Sequence, residues 1–332
     1  MTRKARKLGS TEIEVSPLAL GCWQFAGGDY WGNRTESSQV DLVSIALESG
    51  INFFDTAPAY GDGESERVLG VALKGRRDKA IIATKVSPTV QCQDDVVESC
   101  NRSLELLQTD HVDLLQMHWP ARELPLDDLA AVIESLRASG KVRAFGVCNY
   151  GPLDLGEILE AGLPIVSNQL PYSLLSRSIE YEIVPLCEKR DISVLPYSPL
   201  LQGLLAGRWE SPDQVPVPRA RTRHFRGTRE QSRHGEEGCE SETFAALESI
   251  RKLADANGVS MSDLAVAWVS AQNGVASVIV GAGNSNQLKD NLAALDIQLD
   301  EKTLRELDGA TQAVKSHLGK NPDLWMGESR YR

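Results

Sequence analysis

Short apolar, β-branched runs and longer amphipathic stretches alternate eight times along this chain. The strand-like runs are LALGCW (18–23), INFFD (51–55), AIIATK (80–85), VDLLQMH (112–118), VRAFGVC (142–148), PIVSNQ (164–169), ISVLPYS (192–198) and SVIVG (277–281). None alternates strictly between apolar and polar, as expected of strands buried on both faces. Between them lie helical patterns such as SSQVDLVSIALESG (37–50), with a serine at its start and a glycine at its end, ESERVLGVAL, DDVVESCNRSLELL and TFAALESIRKLADANG. Repeated strand–helix units imply parallel pairing with right-handed crossovers. Eight units, and no GxGxxG after the first strand, favour a closed (β/α)8 barrel over an open doubly wound sheet. The expected architecture is one domain over residues 1–332, with an N-terminal β-hairpin, extra C-terminal helices and a long loop after the seventh strand.

The balance of charge narrows the partners. A net charge of −11 argues against a nucleic-acid surface, which needs a basic face. The basic N-terminal residues precede no long apolar run, and no stretch elsewhere approaches a membrane span, so no membrane partner is expected. The six cysteines, at 22, 92, 100, 148, 187 and 239, form no CxxC pair. They read as reduced thiols of a cytoplasmic protein rather than as disulfides or a metal site.

Four titratable groups converge at the strand ends. Asp55 closes the second strand and Tyr60 follows five residues later; Lys85 ends the third and His118 the fourth. Catalytic groups of barrel enzymes sit at this C-terminal rim. Singly, each has a dull explanation: a solvated lysine, a loop-supporting tyrosine, a turn-capping aspartate. Together they suggest a phenol whose pKa a neighbouring ammonium lowers, with Asp55 holding the lysine and His118 available to a carbonyl oxygen. Such a phenol suits protonation of an alkoxide formed by hydride transfer, which implies a nicotinamide.

DTAPAYG, the ATK strand end, QMHWP, GVCNY, NQLPYS and PYSPLLQGLLAGR resemble the signatures of the aldo-keto reductases, in that family's order and from about residue 5 to 315. The resemblance implies a (β/α)8 barrel, a small-molecule carbonyl substrate (aldehyde, ketone or aldose-type sugar) and NADP(H), with NAD(H) possible. Its catalytic tetrad falls on Asp55, Tyr60, Lys85 and His118, with Tyr60 the proton donor. By the same likeness Cys148, Asn149 and Gln169 hold the carboxamide, Tyr197 stacks on the nicotinamide, Ser198 and Leu200 follow the pyrophosphate, and Gly21 and Trp23 line the cofactor's start. Gly281, Ala282, Gly283, Asn284, Gln287 and Asn291 match the segment for the adenosine half, where a helix N-terminus binds phosphate. Two positions depart from the pattern. Cys148 replaces a serine and is a weaker donor. Gly283 stands where relatives place an arginine or other polar residue, so the charge for a 2′-phosphate is expected from arginines of the 219–233 loop or from Lys289. The substrate wall is expected from Trp31, Tyr30, Trp119 and Trp325, with Tyr60 and His118 at its base.

Residues 200–242 break the rhythm. They carry three prolines and the arginines 219, 221, 223, 226, 229 and 233. A loop of this length is a lid over an anionic ligand or a solvated, mobile segment. His224 and His234 within it read as solvated. Two rival functions remain: a cofactor-binding regulatory protein on the reductase fold, like the channel β-subunits, and an aldolase-type barrel with Lys85 as Schiff-base amine.

Overall fold

The structure, a computed structural model, describes residues 4–332 except Asn33 and the side chains of Asp29 and Tyr30. Strands β1 (Arg6–Lys7) and β2 (Glu14–Val15) form an antiparallel hairpin. The barrel follows in chain order. β3 (Leu18–Gly21) leads through a short helix α1 (Gly28–Trp31) to α2 (Glu36–Glu48). β4 (Phe53–Asp55), α3 (Glu64–Leu73), β5 (Ile81–Val86), α4 (Gln93–Leu107), β6 (Val112–Met117) and α5 (Leu126–Ala138) come next. β7 (Val142–Cys148), α6 (Pro152–Glu160), β8 (Ile165–Pro171), α7 (Ile183–Lys189) and β9 (Ser193–Tyr197) precede the long loop. The chain ends with α8 (Glu240–Ala256), α9 (Met261–Ser270), β10 (Val278–Val280), α10 (Ser285–Ala294) and α11 (Glu301–Leu318). β3 to β10 pair in parallel and close into an eight-stranded barrel, β10 bonding both β9 and β3. No helix among the described residues is long and apolar enough to cross a membrane.

The pleat explains how the site is built. Alternate strand residues face the lumen, and here Ala19, Phe53, Ala83, Leu114, Leu195 and Ile279 pack inside it. Their neighbours Leu20, Phe54, Ile82 and Val194 face the helices. The hairpin plugs the N-terminal end, its Leu8, Ile13 and Val15 joining the inner cluster. Two residues above Phe53, Ala83 and Leu195 stand Asp55, Lys85 and Tyr197, at the opposite rim and on the same inner face. β8 breaks this parity. Phe145 pairs with Ile165 but Val147 with Asn168, so β8 carries an extra residue at a bulge. Val166 therefore faces the lumen below the bulge, while Gln169 reaches inward above it.

Several local expectations shift. α2 is capped by Thr35, whose hydroxyl accepts from the Ser38 amide, two residues before the expected serine start. The amphipathic stretch IEYEIVPLCEKR (179–190) is not one continuous helix: a short turn at Ser178–Glu180 precedes α7. The long loop is anchored rather than free. Arg223 pairs with Glu236, and Arg229 with Glu240 and Asp213. His224, expected to be solvated, is fully buried, with Nε2 donating to the Leu175 carbonyl at 2.8 Å; His234 is buried as well.

Candidate active site

Asp55 lies at the centre of the rim. Its carboxylate accepts from Lys85 Nζ at 2.8 and 3.0 Å and from Gln169 Nε2 at 2.7 Å. Gln116, which the sequence reading passed over, reaches it from β6 at 3.5 Å. Lys85 has three protons and three directions to send them: Asp55, the Thr56 carbonyl at 2.8 Å and Tyr60 Oη at 3.3 Å. The Tyr60 oxygen thus accepts from the ammonium and keeps its own proton to give. Tyr60 packs between Trp23, at 5.9 Å between ring centres, and the edge of His118, also at 5.9 Å.

Burial sets the protonation states. It would by itself lower the pKa of Lys85, and no single neighbour offsets it, but the Asp55 carboxylate together with Tyr60, Cys148 and the hydrogen bond to Asp55 outweighs it and the net direction is up. Lys85 is therefore an ammonium with every proton engaged, which removes the Schiff-base reading. His118 is held at about 3, first by desolvation and then by the Lys85 charge, and is neutral at ordinary pH. For Tyr60 the outcome differs from the sequence expectation. Lys85 does pull the phenol down, yet desolvation is larger and the value is pushed up to about 12. Tyr60 rests as a protonated phenol, the acid form.

From Tyr60 and His118 a cleft of about 990 Å³ runs over Tyr197, Ser198 and Leu200 to the start of α10. Gly21, Trp23, Asp55, Asn149, Gln169, Gly281, Gly283, Asn284, Gln287 and Asn291 all line it, as do Trp31, Trp119 and Trp325. Cys148 and Ala282 are buried and not among its lining residues. The Tyr30 side chain lies outside the described residues. Asn284 caps α10, accepting from the Gln287 amide, while Gln287 Oε1 accepts from the Gly283 amide at 2.6 Å.

The positive charge at this end comes from an unexpected place. Arg34, between α1 and α2, donates to the Gly283 carbonyl at 2.6 Å and lines the cleft. A Cβ on residue 283 would lie 3.0 Å from Arg34 Nη2 and from Gln287 Oε1, so the glycine makes room for both. Lys289 is exposed and off the cleft; of the loop arginines, Arg219 does line it, as does Arg208 just before them. Nothing around Arg34 in the sequence marked it, because its partner is 249 residues away.

The cleft suits an extended dinucleotide. A Cβ at Gly281 would fall 2.5 Å from Gln24 Nε2, so the glycine lets the Gln24 side chain lie against the backbone there. Gln24 Oε1 and Arg34 Nε are buried without a hydrogen-bond partner among the described residues, and both residues line the cleft. Buried polar atoms of this kind are normally satisfied.

A closed parallel barrel with a buried Asp–Lys–Tyr cluster and a neutral histidine at its C-terminal rim defines a barrel enzyme of the oxidoreductase type. The chain belongs to the aldo/keto reductase family, whose model matches residues 17–312. It is 33% identical over 297 residues to the aldo-keto reductase YhdN of Bacillus subtilis, covering 85% of this chain and 86% of that one. It is 32% identical over 332 residues to the NADH-specific methylglyoxal reductase of Escherichia coli, covering 92% and 98%. Its structure resembles that of an aldo-keto reductase from Klebsiella pneumoniae in complex with NADPH, with a TM-score of 0.74, 29% identity, and coverage of 93% of this chain and 95% of that one.

Proposed function

We propose that this protein reduces a small aldehyde or ketone with NADP(H), accepting NAD(H) less well, and that Tyr60 is the proton donor. The observation that carries the reading is the Lys85 ammonium donating to the Tyr60 oxygen at 3.3 Å while locked to Asp55. When bound, the nicotinamide supplies the hydride to the carbonyl carbon. As the C=O π bond opens, the Tyr60 proton passes to the carbonyl oxygen and Lys85 stabilises the phenolate left behind. Neutral His118 orients the carbonyl oxygen without adding charge. The reverse oxidation uses Tyr60 as base.

Asn149, Gln169 and Tyr197 fit the nicotinamide end; Ser198, Leu200 and Gly281 fit the pyrophosphate; Asn284, Gln287 and Asn291 fit the adenosine half. Arg34 supplies the charge for a 2′-phosphate that Gly283 lacks. Trp31, Trp119 and Trp325 give the substrate a largely apolar wall, typical of ligand pockets. All six cysteines are free, in keeping with a cytoplasmic enzyme. The test is NADPH oxidation with 4-nitrobenzaldehyde, beside fluorescence titration of NADPH. Binding with turnover supports the reading; tight binding without turnover of any aldehyde in a panel rejects it in favour of a cofactor-binding regulator.

A further inference from the structure

The segment after α11 returns across the barrel mouth and ends on α6. The Arg332 carbonyl accepts from the amides of Leu153 and Asp154 at 2.9 and 3.2 Å, and its guanidinium pairs with Asp154. Arg330 is clamped by Asp323 at 2.6 and 2.9 Å and lies 3.9 Å over the Trp119 ring. These anchors drive Tyr331 inward, edge-on to Trp119 and 7% exposed.

The Tyr331 hydroxyl ends on Asn149. It donates to Oδ1 at 2.6 Å, and the Tyr197 hydroxyl donates to the same oxygen at 2.9 Å. On the other side of the amide, Nδ2 donates to the His118 carbonyl at 3.0 Å. That carbonyl can only accept, so the amide orientation is fixed by its partners. An amide oxygen has two acceptor sites and an amide nitrogen two protons. Both acceptor sites are taken and one proton is used. What Asn149 has left to offer the cleft is a single N–H.

We propose that Tyr331 is a positioning residue of this site: by filling, with Tyr197, the acceptor capacity of Asn149, it commits that amide to meet the nicotinamide carboxamide as a donor to its oxygen. The proposal rests on the reading of the cleft as a cofactor site. It joins the substrate wall to the cofactor seat, because the segment that carries Tyr331 also covers Trp119. Without the hydroxyl, Asn149 can rotate or offer its oxygen, and the carboxamide loses a fixed partner.

The test compares two ligands, NADPH and 2′-phospho-ADP-ribose, which lacks the nicotinamide. Their Kd values are measured by calorimetry on the wild type, Tyr331→Phe and Gly151→Ala. A methyl on Gly151 would overlap Arg332, to which its three nearest atoms all belong, and Gly151 has an ordinary φ of −76°, so this variant displaces the segment from a position that does not itself line the cleft. Loss of one neutral hydrogen bond predicts about fivefold weaker NADPH binding in Tyr331→Phe, with 2′-phospho-ADP-ribose unchanged. Gly151→Ala is expected to reproduce that selective loss. Equal weakening of both ligands, no change in either, or a Gly151→Ala variant that binds NADPH like the wild type overturns the proposal. A wild type that binds neither ligand overturns the cofactor reading itself; binding of both, with no selective loss in the variants, overturns only the role of Tyr331.

Discussion

Lys85 Nζ stands 3.3 Å from Tyr60 Oη and 4.9 Å from the centre of the same ring, so one ammonium lies against both the oxygen and the ring of the proposed acid. In Tyr60→Phe the oxygen disappears while the ring still fills its place against Trp23 and His118. A general acid typically contributes about 10²–10⁴-fold. The expected result is a loss of that order in kcat for aldehyde reduction, with the Kd for NADPH within about twofold of the wild type. Steady-state kinetics beside fluorescence titration measure both; a variant that keeps its turnover removes Tyr60 from the role.

The Asp55–Lys85 pair is fully buried, and its members depend on each other. Removing one partner of such a pair typically costs about 3–5 kcal/mol, because the other charge is stranded. Asp55→Asn keeps the shape but strands the ammonium, and its midpoint in urea is expected to fall accordingly. The double variant Asp55→Asn, Lys85→Met removes both charges and is expected to regain most of that loss while remaining inactive. Chemical denaturation of the three proteins checks this; a double variant less stable than Asp55→Asn contradicts it.

Much of this cluster was legible because strand geometry is local. A residue two positions beyond an inward-facing one also faces inward, so the runs ending in FFD and ATK placed Asp55 and Lys85 together before any coordinates. Tyr60 followed from a short loop. What the sequence hid depends on long-range packing. Arg34 meets Gly283 and Tyr331 meets Asn149 across separations of 249 and 182 residues, with no local pattern to mark either. His224 and His234 were misjudged for a related reason. An arginine-rich, proline-broken stretch looks solvated, but acids at 213, 236 and 240 pair with its arginines and pull it onto the body. The phenol's pKa was misjudged because the sequence displays the charged neighbour and conceals the desolvation that outweighs it.

The protonation states predict a plain pH profile. His118 is neutral above about 3 and Tyr60 is protonated below about 12, so neither changes state between roughly pH 5 and 9. In the reduction direction, kcat/KM is expected to be flat over that range. In the oxidation direction the phenolate is the active form, and the rate is expected to climb roughly tenfold per pH unit. A reduction profile with an acid limb centred near 6.5 would place an ordinary, solvated histidine in the mechanism instead.

Acid should unfold the protein through its buried imidazoles. His224 is depressed to about 4, first by burial, and His118 to about 3. Unfolded, each titrates near 6.5. Between those values the unfolded chain binds more protons than the native one, so stability is fully present above about pH 6.5 and falls as pH drops towards 4, by at most about 1.4 kcal/mol per pH unit per group. His224→Gln keeps polar atoms near the Leu175 carbonyl and removes one titrating group. Its stability loss between pH 6.5 and 5 is expected to be shallower than that of the wild type in urea titrations. Parallel slopes in the two proteins would mean that His224 already carries its proton when folded.

Arg34 offers the sharpest test of cofactor preference, because it and Asp290, both lining the cleft, act in opposite directions on a 2′-phosphate. Its guanidinium is seated on the Gly283 carbonyl and lines the adenosine end of the cleft, where Asp290 also lies. A 2′-phosphate gains from the arginine and is opposed by the carboxylate, whereas a ribose hydroxyl can donate to Asp290 at no such cost. Arg34→Ala removes a charged hydrogen bond of about 1.5–3 kcal/mol, so the Kd for NADPH is expected to rise roughly 10–100-fold. NADH, which carries no charge at that position, is expected to change by less than about threefold. The variant's preference then turns towards NADH. A parallel loss for both cofactors would show that Arg34 only braces the loop before α2, and would return the phosphate to Arg208 and Arg219, which also line the cleft.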